Sequence, residues 1–421
     1  MVLAPDPREV STVTTTLTPR APATGAPHGN PRASHPAWQA SIGLMMTLAG
    51  VLLAMPTTTD PTDHETTRLV GQAAPASPTP PAEADASPTV PALRLERARA
   101  PRREHSRPPE RLTPQPPADG RDAPDPAVVH HGRRWALFST QVGMINVPVA
   151  LSEDLRHWSY PVDALPDLPT WAEWGRTWAP GVLRRDNGFV LYFAARSRAL
   201  GLQCIRAATA GAVDGPYTSP ASEPLVCQPH LGGSIDPQPF VDGDGTPYLL
   251  WKADANAIGQ TSQLFAQRLR PDGLALTGDA VPLLRSDAGW ERPLIENPAL
   301  LAADGAYILL YSGGWWESGG YATGYALCDT PLGPCEKQTT HQPILASTED
   351  EAGTGGASVM TGPAGDHWLA YHAWTTGAIG YHSGGARSLR FASLTWDVDQ
   401  LAVTRQTPPT LWATEAMDQL P

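Results

Sequence analysis

The 421 residues carry a formal charge of −12, which argues against a nucleic-acid partner, because phosphates call for a basic surface. A chain of this length would ordinarily make two or three domains. Two of the 30 basic residues are lysine, Lys252 and Lys337, a bias of the kind a GC-rich genome produces that by itself says little about function.

Residues 1–38 are rich in Pro, Thr and Ala without periodicity and read as a disordered tail. The segment 39–56 contains an uncharged run, SIGLMMTLAGVLLAM at 41–55, shorter than a full membrane span and suited to a signal-peptide core. A cleaved signal peptide and an uncleaved signal anchor, with a membrane tether through 41–55, both stay open. Either one exports the chain downstream of it, so the expected location is secreted, or anchored with the folded part outside. Residues 57–120 are Pro-, Ala- and Arg-rich, almost without aromatics, and form an extended linker.

From 121 to 410 one pattern recurs five times. DPAVVHHGRRWALFST, TWAPGVLRRDNGFVLYFAA, IDPQPFVDGDGTPYLLWKA, IENPALLAADGAYILLYSG and GGASVMTGPAGDHWLAYHA line up on the aromatic that comes after each turn. These anchors are Trp135, Phe189, Tyr248, Tyr307 and Trp368, spaced roughly 55–60 residues apart, a period that signals propellers or solenoids. Each unit holds two turn-linked strands and further strand-and-turn sequence, enough for a four-stranded blade. The expected fold is all-β, a five-bladed propeller, acting as a monomer. Asp236 precedes Pro237 and is expected to be extended.

Cys204, Cys227, Cys328 and Cys335 allow three pairings. Export favours oxidation, and the intervening hairpin-like segments favour Cys204–Cys227 and Cys328–Cys335. Zinc is the rival, but no C-x-x-C supports it.

The start of each blade's innermost strand faces the central axis. At that position three repeats carry carboxylates, Asp125, Asp236 and Glu296; the others carry Trp178-Ala179 and Gly356-Ala357. An Asp before Pro often only caps a turn, but three carboxylates at one repeat position converge on one cavity and push their proton affinities apart. That arrangement suits acid/base hydrolysis of a glycosidic bond. Asp125 and Glu296 are expected on the first and third blades with Asp236 between them, a separation that suits an inverting reaction.

DPAVV at Asp125, IDPQPFVDGDG around Asp236 and IENPAL around Glu296 resemble the three catalytic motifs of glycoside hydrolase family 43, as do NVPVALSEDLRHW, WAPGVL, GGAS and YHAW between and after them. The resemblance covers about 121–405. It implies an inverting hydrolase of α-L-arabinofuranosides, arabinan or β-xylosides, with a pentose-containing plant polysaccharide as its partner and no required cofactor. It further implies Asp125 as general base, Glu296 as general acid, and Asp236 as the residue that tunes and orients the acid. The acid motif departs from the family at Asn297, where Gly or Ala is usual. Asp122 is a local competitor for the base and the weaker candidate, so Asp122→Asn is expected to be nearly silent.

Trp178 is either a sugar platform or a buried core residue. Trp315 and Trp316, in the Gly-rich GGWWESGGY loop, are expected to contact substrate. Arg387 falls where related β-xylosidases reach the sugar and is expected to pair with Asp236. His372 matches a histidine that faces a central ion or water in arabinanases, which admits calcium near the axis. Two alternatives stay open: a catalytically inactive sugar-binding propeller, and a five-bladed fructosidase or phosphorylase, whose motifs do not occur.

Overall fold

The computed structural model describes residues 113–406, apart from 118, 221, 398 and 399. The expected tail at 1–38, the apolar run within 39–56 and the linker up to 112 lie outside the described residues. Among the described residues no helix is long and apolar enough to cross a membrane.

Five antiparallel sheets succeed one another along the chain, each with its strands in sequence order. The first holds β1 (Ala127–His131), β2 (Arg134–Phe138), β3 (Pro148–Ser152) and β4 (Val162–Asp163). The second holds β5 (Ala172–Arg185), β6 (Gly188–Ser197) and β7 (Gln203–Ala210), and the third β8 (Ser234–Val241), β9 (Pro247–Ala253), β10 (Gln263–Leu269) and β11 (Leu276–Arg285). The fourth holds β12 (Ile295–Ala303), β13 (Ala306–Gly313), β14 (Ala322–Cys328) and β15 (Cys335–Lys337). The fifth holds β16 (Glu351–Thr361), β17 (His367–Thr375), β18 (Arg387–Asp397) and β19 (Gln400–Arg405). The innermost strands β1, β5, β8, β12 and β16 touch in that order, and β16 returns to β1, so the ring of five blades is closed.

The second strand of each blade explains why the ring holds. Strand side chains alternate between faces, and here both faces are covered by neighbouring blades, so these strands read as unbroken apolar runs. Phe189, Leu191 and Phe193 of β6 share a core with Phe138 of the first blade, whereas Val190 and Tyr192 share one with Leu249 and Trp251 of the third. Leu250 of β9 turns the other way, to Leu309 and Tyr311 of the fourth blade. Leu310 pairs off with Leu369 and Tyr371 of the fifth, and Trp368 and Ala370 close the circle on Trp135 and Leu137. Each such side chain contributes about 1.5–3 kcal/mol of burial, and no blade could bury both faces alone. All five anchor aromatics fall on these second strands.

The ends are joined with little overlap. Asp122 makes an isolated antiparallel bridge to Ser388 of β18, and Ala123 N donates to Arg387 O at 2.9 Å. Among the described residues the second blade has three strands rather than the expected four. Its outer edge is completed by single bridges, Ile205 to Val226 and Thr209 to Thr218, and by the Cys204–Cys227 disulfide. Cys328 and Cys335 are bonded directly across the β14–β15 pair.

Candidate active site

The blades enter the axis through one repeated backbone device. Asp125, Ala179, Asp236, Asn297 and Gly356 have φ of 50°, 43°, 56°, 53° and 60°. In the second to fifth blades the pairing register slips at this point, the mark of a β-bulge. Such φ values favour Gly, Asn and Asp, which occupy four of the five positions. Two expectations are thereby corrected. Asp236 is left-handed rather than extended, because the bulge outweighs the preference set by Pro237. Glu296 is not the equivalent of Asp125 and Asp236: Asn297 is, and Glu296 stands one residue earlier, level with Trp178, Ile235 and Gly355. Its family-atypical neighbour has a local reason, since Asn tolerates this φ; its Nδ2 donates to Ala357 O on the fifth blade at 2.7 Å.

The register that puts these residues at the axis also places a second ring behind them. Opposite the residue before each left-handed one stand Ala194, Lys252, Ser312 and His372, and in the first blade Thr140, whose N donates to Pro124 O. Four of these five side chains bond the entry turn of the next blade. Thr140 Oγ1 accepts Ala179 N at 2.7 Å, Ser312 Oγ accepts Gly356 N at 2.9 Å, and His372 Nδ1 accepts Asp125 N at 3.0 Å. Lys252 Nζ instead donates to the side chain of Glu296, at 2.9 Å from Oε2.

The three carboxylates open onto one cavity of about 960 Å³. Asp125 Oδ2 accepts from Thr140 Oγ1 at 2.6 Å and lies 3.6 Å from Arg387 Nη1. Arg387 thus pairs with Asp125, not with Asp236 as expected, because β18 borders the first blade rather than the third. Asp236 is buried, and its Oδ2 accepts Asn297 N at 2.9 Å. Burial, reinforced by the charge of Glu296 and opposed by Lys252, pushes its carboxyl well above the usual range. Glu296 Oε1 accepts from Tyr321 OH at 2.9 Å. Burial and then the charge of Glu296 push the Tyr321 phenol well up, keeping it a hydroxyl.

The cavity's other wall is aromatic. Trp178, Trp315, Trp316 and Tyr381 line it, with Trp315 46% exposed. Arg387 lies over Trp316, 4.7 Å from the ring centre, and over Tyr381 at 5.6 Å. Asp122 holds this arrangement: Oδ1 accepts Arg387 N at 2.7 Å, Oδ2 accepts Tyr381 OH at 3.0 Å, and Arg387 Nε donates to Tyr381 OH at 3.1 Å. Burial raises the Asp122 carboxyl, with the Arg387 amide opposing. Burial works against charge on Arg387, but Asp125, Tyr381 and Asp122 outweigh it.

His372 sits behind Asp125, fully buried, and desolvation brings it down to about 3, so the ring is neutral. With Nδ1 accepting an amide, the proton sits on Nε2, which has no partner among the described residues. A protonated nitrogen donates to an oxygen but does not ligate a cation, and calcium prefers oxygen ligands. His372 therefore does not fit as a direct metal ligand. Among the described residues no group of three or more His, Cys, Asp or Glu gathers to hold an ion.

All the sequence-derived site residues except His372 line the cavity. Sequence reasoning missed Thr140, Lys252, Tyr321 and Tyr381. For Lys252 a signal existed: a lysine closing an apolar strand in a chain that otherwise uses arginine. Tyr321 lies in a loop and Tyr381 opens a one-turn 3-10 helix, both between strands, where repeat alignment gives no register.

A family model described as glycosyl hydrolases family 43 matches residues 116–401. A β-D-galactofuranosidase (xynD) of Aspergillus niger is 29% identical over 264 residues, covering 53% of this chain and 72% of that one. An arabinoxylan arabinofuranohydrolase of Bacillus subtilis is 30% identical over 186 residues, covering 39% of this chain and 34% of that relative. Among solved structures, a thermostable family-43 glycoside hydrolase superposes with a TM-score of 0.62 at 29% identity, covering 68% of this chain and 95% of its own.

Proposed function

The chain belongs to glycosyl hydrolases family 43, and from that membership we propose that it is an inverting glycosidase that cleaves α-L-arabinofuranosidic or β-xylosidic bonds in plant cell-wall polysaccharide. The observation that carries the reading is the cavity itself, where Asp125, Asp236 and Glu296, from three different blades, face a wall of aromatic rings that offers stacking surface to sugars.

In this reading Asp125 is the base. It takes a proton from a water that attacks the anomeric carbon, while Thr140 and Arg387 fix the direction of its oxygens. Glu296 is the acid and protonates the departing glycosidic oxygen, which leaves with the electrons of the broken C–O bond. Asp236 acts through the amide of Asn297 and so fixes the backbone that carries the acid. Trp178, Trp315, Trp316 and Arg387 bind the sugars. No cofactor enters these steps, and the unpartnered Nε2 of His372 suits a water. We place the enzyme outside the cell, on the uncharged run at 41–55 and the two disulfides.

The relatives' names set the test panel: aryl α-L-arabinofuranoside, aryl β-D-xyloside, aryl β-D-galactofuranoside and linear arabinan, assayed side by side. Turnover of either pentoside supports the reading. Turnover of the galactofuranoside alone moves the substrate to a hexofuranose. Sugar binding with no turnover of any of them would make this an inactive binding propeller.

A further inference from the structure

In the ring behind the axis, Thr140, Ser312 and His372 each accept a backbone N–H from the next blade. Lys252 holds the same register position, and an ammonium has three donors and no acceptor, so it cannot play that part. The amide it would have served, Asn297 N, is taken by Asp236. Lys252 has the side-chain parity of Leu250, facing the fourth blade, and its Nζ lies 2.9 Å from Glu296 Oε2 and 3.0 Å from Asp254 Oδ1. The side chain is 1% exposed. Burial alone would discharge it, but Glu296, Asp254 and Asp236 keep it an ammonium.

We propose that Lys252 is a positioning residue for the proton that Glu296 delivers: it reserves Oε2, so that the transferable proton is carried on Oε1, and its charge sets how far into alkaline pH that proton is retained. Oε2 faces a group that can only donate. Oε1 faces the Tyr321 hydroxyl, which can donate or accept. When Glu296 is protonated, Tyr321 accepts from it and turns its own hydrogen away from Oε1. When the proton passes to the glycosidic oxygen, its bonding electrons stay on Oε1, and the new carboxylate is met by Lys252 and by Tyr321 swinging back. The charged and titratable groups around Glu296 are Lys252 at the end of β9, Asp254 just after it, Asp236 on β8 and Tyr321 before β14. A lysine with a merely structural task would leave the pH profile alone.

The inference rests on Glu296 being the acid, and two variants of opposite sign test it. In Lys252→Met the alkaline limb of kcat/KM, on a substrate with a poor leaving group, should move up by about 1–3 pH units, the usual effect of an opposite charge at this range. In Asp254→Asn, which removes the competing anion and leaves the ammonium to Glu296, the limb should move down. Limbs unmoved in both variants, or moved in the same direction, overturn the proposal, and Asp254→Asn still decides it should Lys252→Met not fold. A second readout needs no turnover. The chain has two lysines, so nitrogen-15 lysine labelling gives two Nζ signals, and that of Lys252 should titrate in the wild type and lose that titration in Glu296→Gln. An unchanged Lys252 signal in Glu296→Gln also overturns it. Failure of the acid assignment itself looks different: Glu296→Gln would then lose rate equally on good and poor leaving groups, instead of mainly on poor ones.

Discussion

Asp122 is the residue whose meaning changes most between sequence and structure. Read as a weak rival to Asp125, it is instead the group that holds Arg387 and Tyr381 in place. In Asp122→Asn the amide oxygen can still accept Arg387 N, but its NH₂ cannot accept the Tyr381 hydroxyl. The guanidinium then loses its fixed seat over Trp316 and beside Asp125. With hydrogen bonds to charged groups contributing about 1.5–3 kcal/mol, kcat/KM should fall roughly tenfold or more, largely through KM. Steady-state kinetics on the preferred aryl glycoside would show it; wild-type values would return Asp122 to the silent role. The one-residue misplacement of Glu296 has a related origin. Period and anchor aromatics locate a blade, but a bulge adds a residue on one strand only, and no composition marks which residue takes the positive φ. Asp, Asn and Gly at these positions become a legible pattern only once all five are superposed.

Single elements answer for local stability, and two of them are testable. The Cys204–Cys227 and Cys328–Cys335 bonds close loops of sequence separation 23 and 7, and both pairings were legible because each pair brackets a hairpin-like segment. The chain-entropy relation gives about 3 kcal/mol for the longer and about 2 for the shorter. Because the longer one also completes a blade whose fourth strand is missing, Cys204→Ala/Cys227→Ala should lose the more in equilibrium denaturation; the reverse order would show that the outer edge of the second blade is held by its single bridges. The second element is the tie between the fifth and first blades. His372 is held neutral at about 3, below the ordinary value near 6.5, so the unfolded chain takes this proton first. Its contribution is complete above about pH 6.5 and is lost as pH falls towards 3, amounting to about 3 kcal/mol by pH 4. Asp236, raised by burial, works in the opposite sense over the same range, so the comparison has to be differential. Wild type should lose more stability between pH 7 and pH 4 than His372→Gln, which keeps an acceptor for Asp125 N. Equal losses would mean the buried ring is not the acid-sensitive joint.

At the scale of the whole ring, blade order decides the stereochemistry. The carboxylates belong to the first, third and fourth sheets, not to three consecutive blades. Asp236 and Glu296 are neighbours, while Asp125 and Glu296 have the fifth blade between them on the short way round the circle. A base and an acid on adjacent blades would crowd towards the roughly 5–5.5 Å of a retaining pair, whereas a skipped blade opens the gap towards the roughly 6.5–9.5 Å that admits a water in an inverting one. The skipped blade contributes Gly355 and Gly356 at its entry, residues without side chains, where an added Cβ at Gly356 would meet His372 and Asp125. The glycine thus lets the entry turn of the fifth blade pass hard against Asp125 and the histidine behind it. Single displacement is the expected course. Proton NMR of the first sugar released from an aryl α-L-arabinofuranoside, or a β-D-xyloside if that is the better substrate, should show the anomer opposite to the substrate's. A first product with the substrate's own configuration would require a covalent glycosyl–enzyme intermediate, and neither the base role of Asp125 nor the skipped-blade reasoning would survive it.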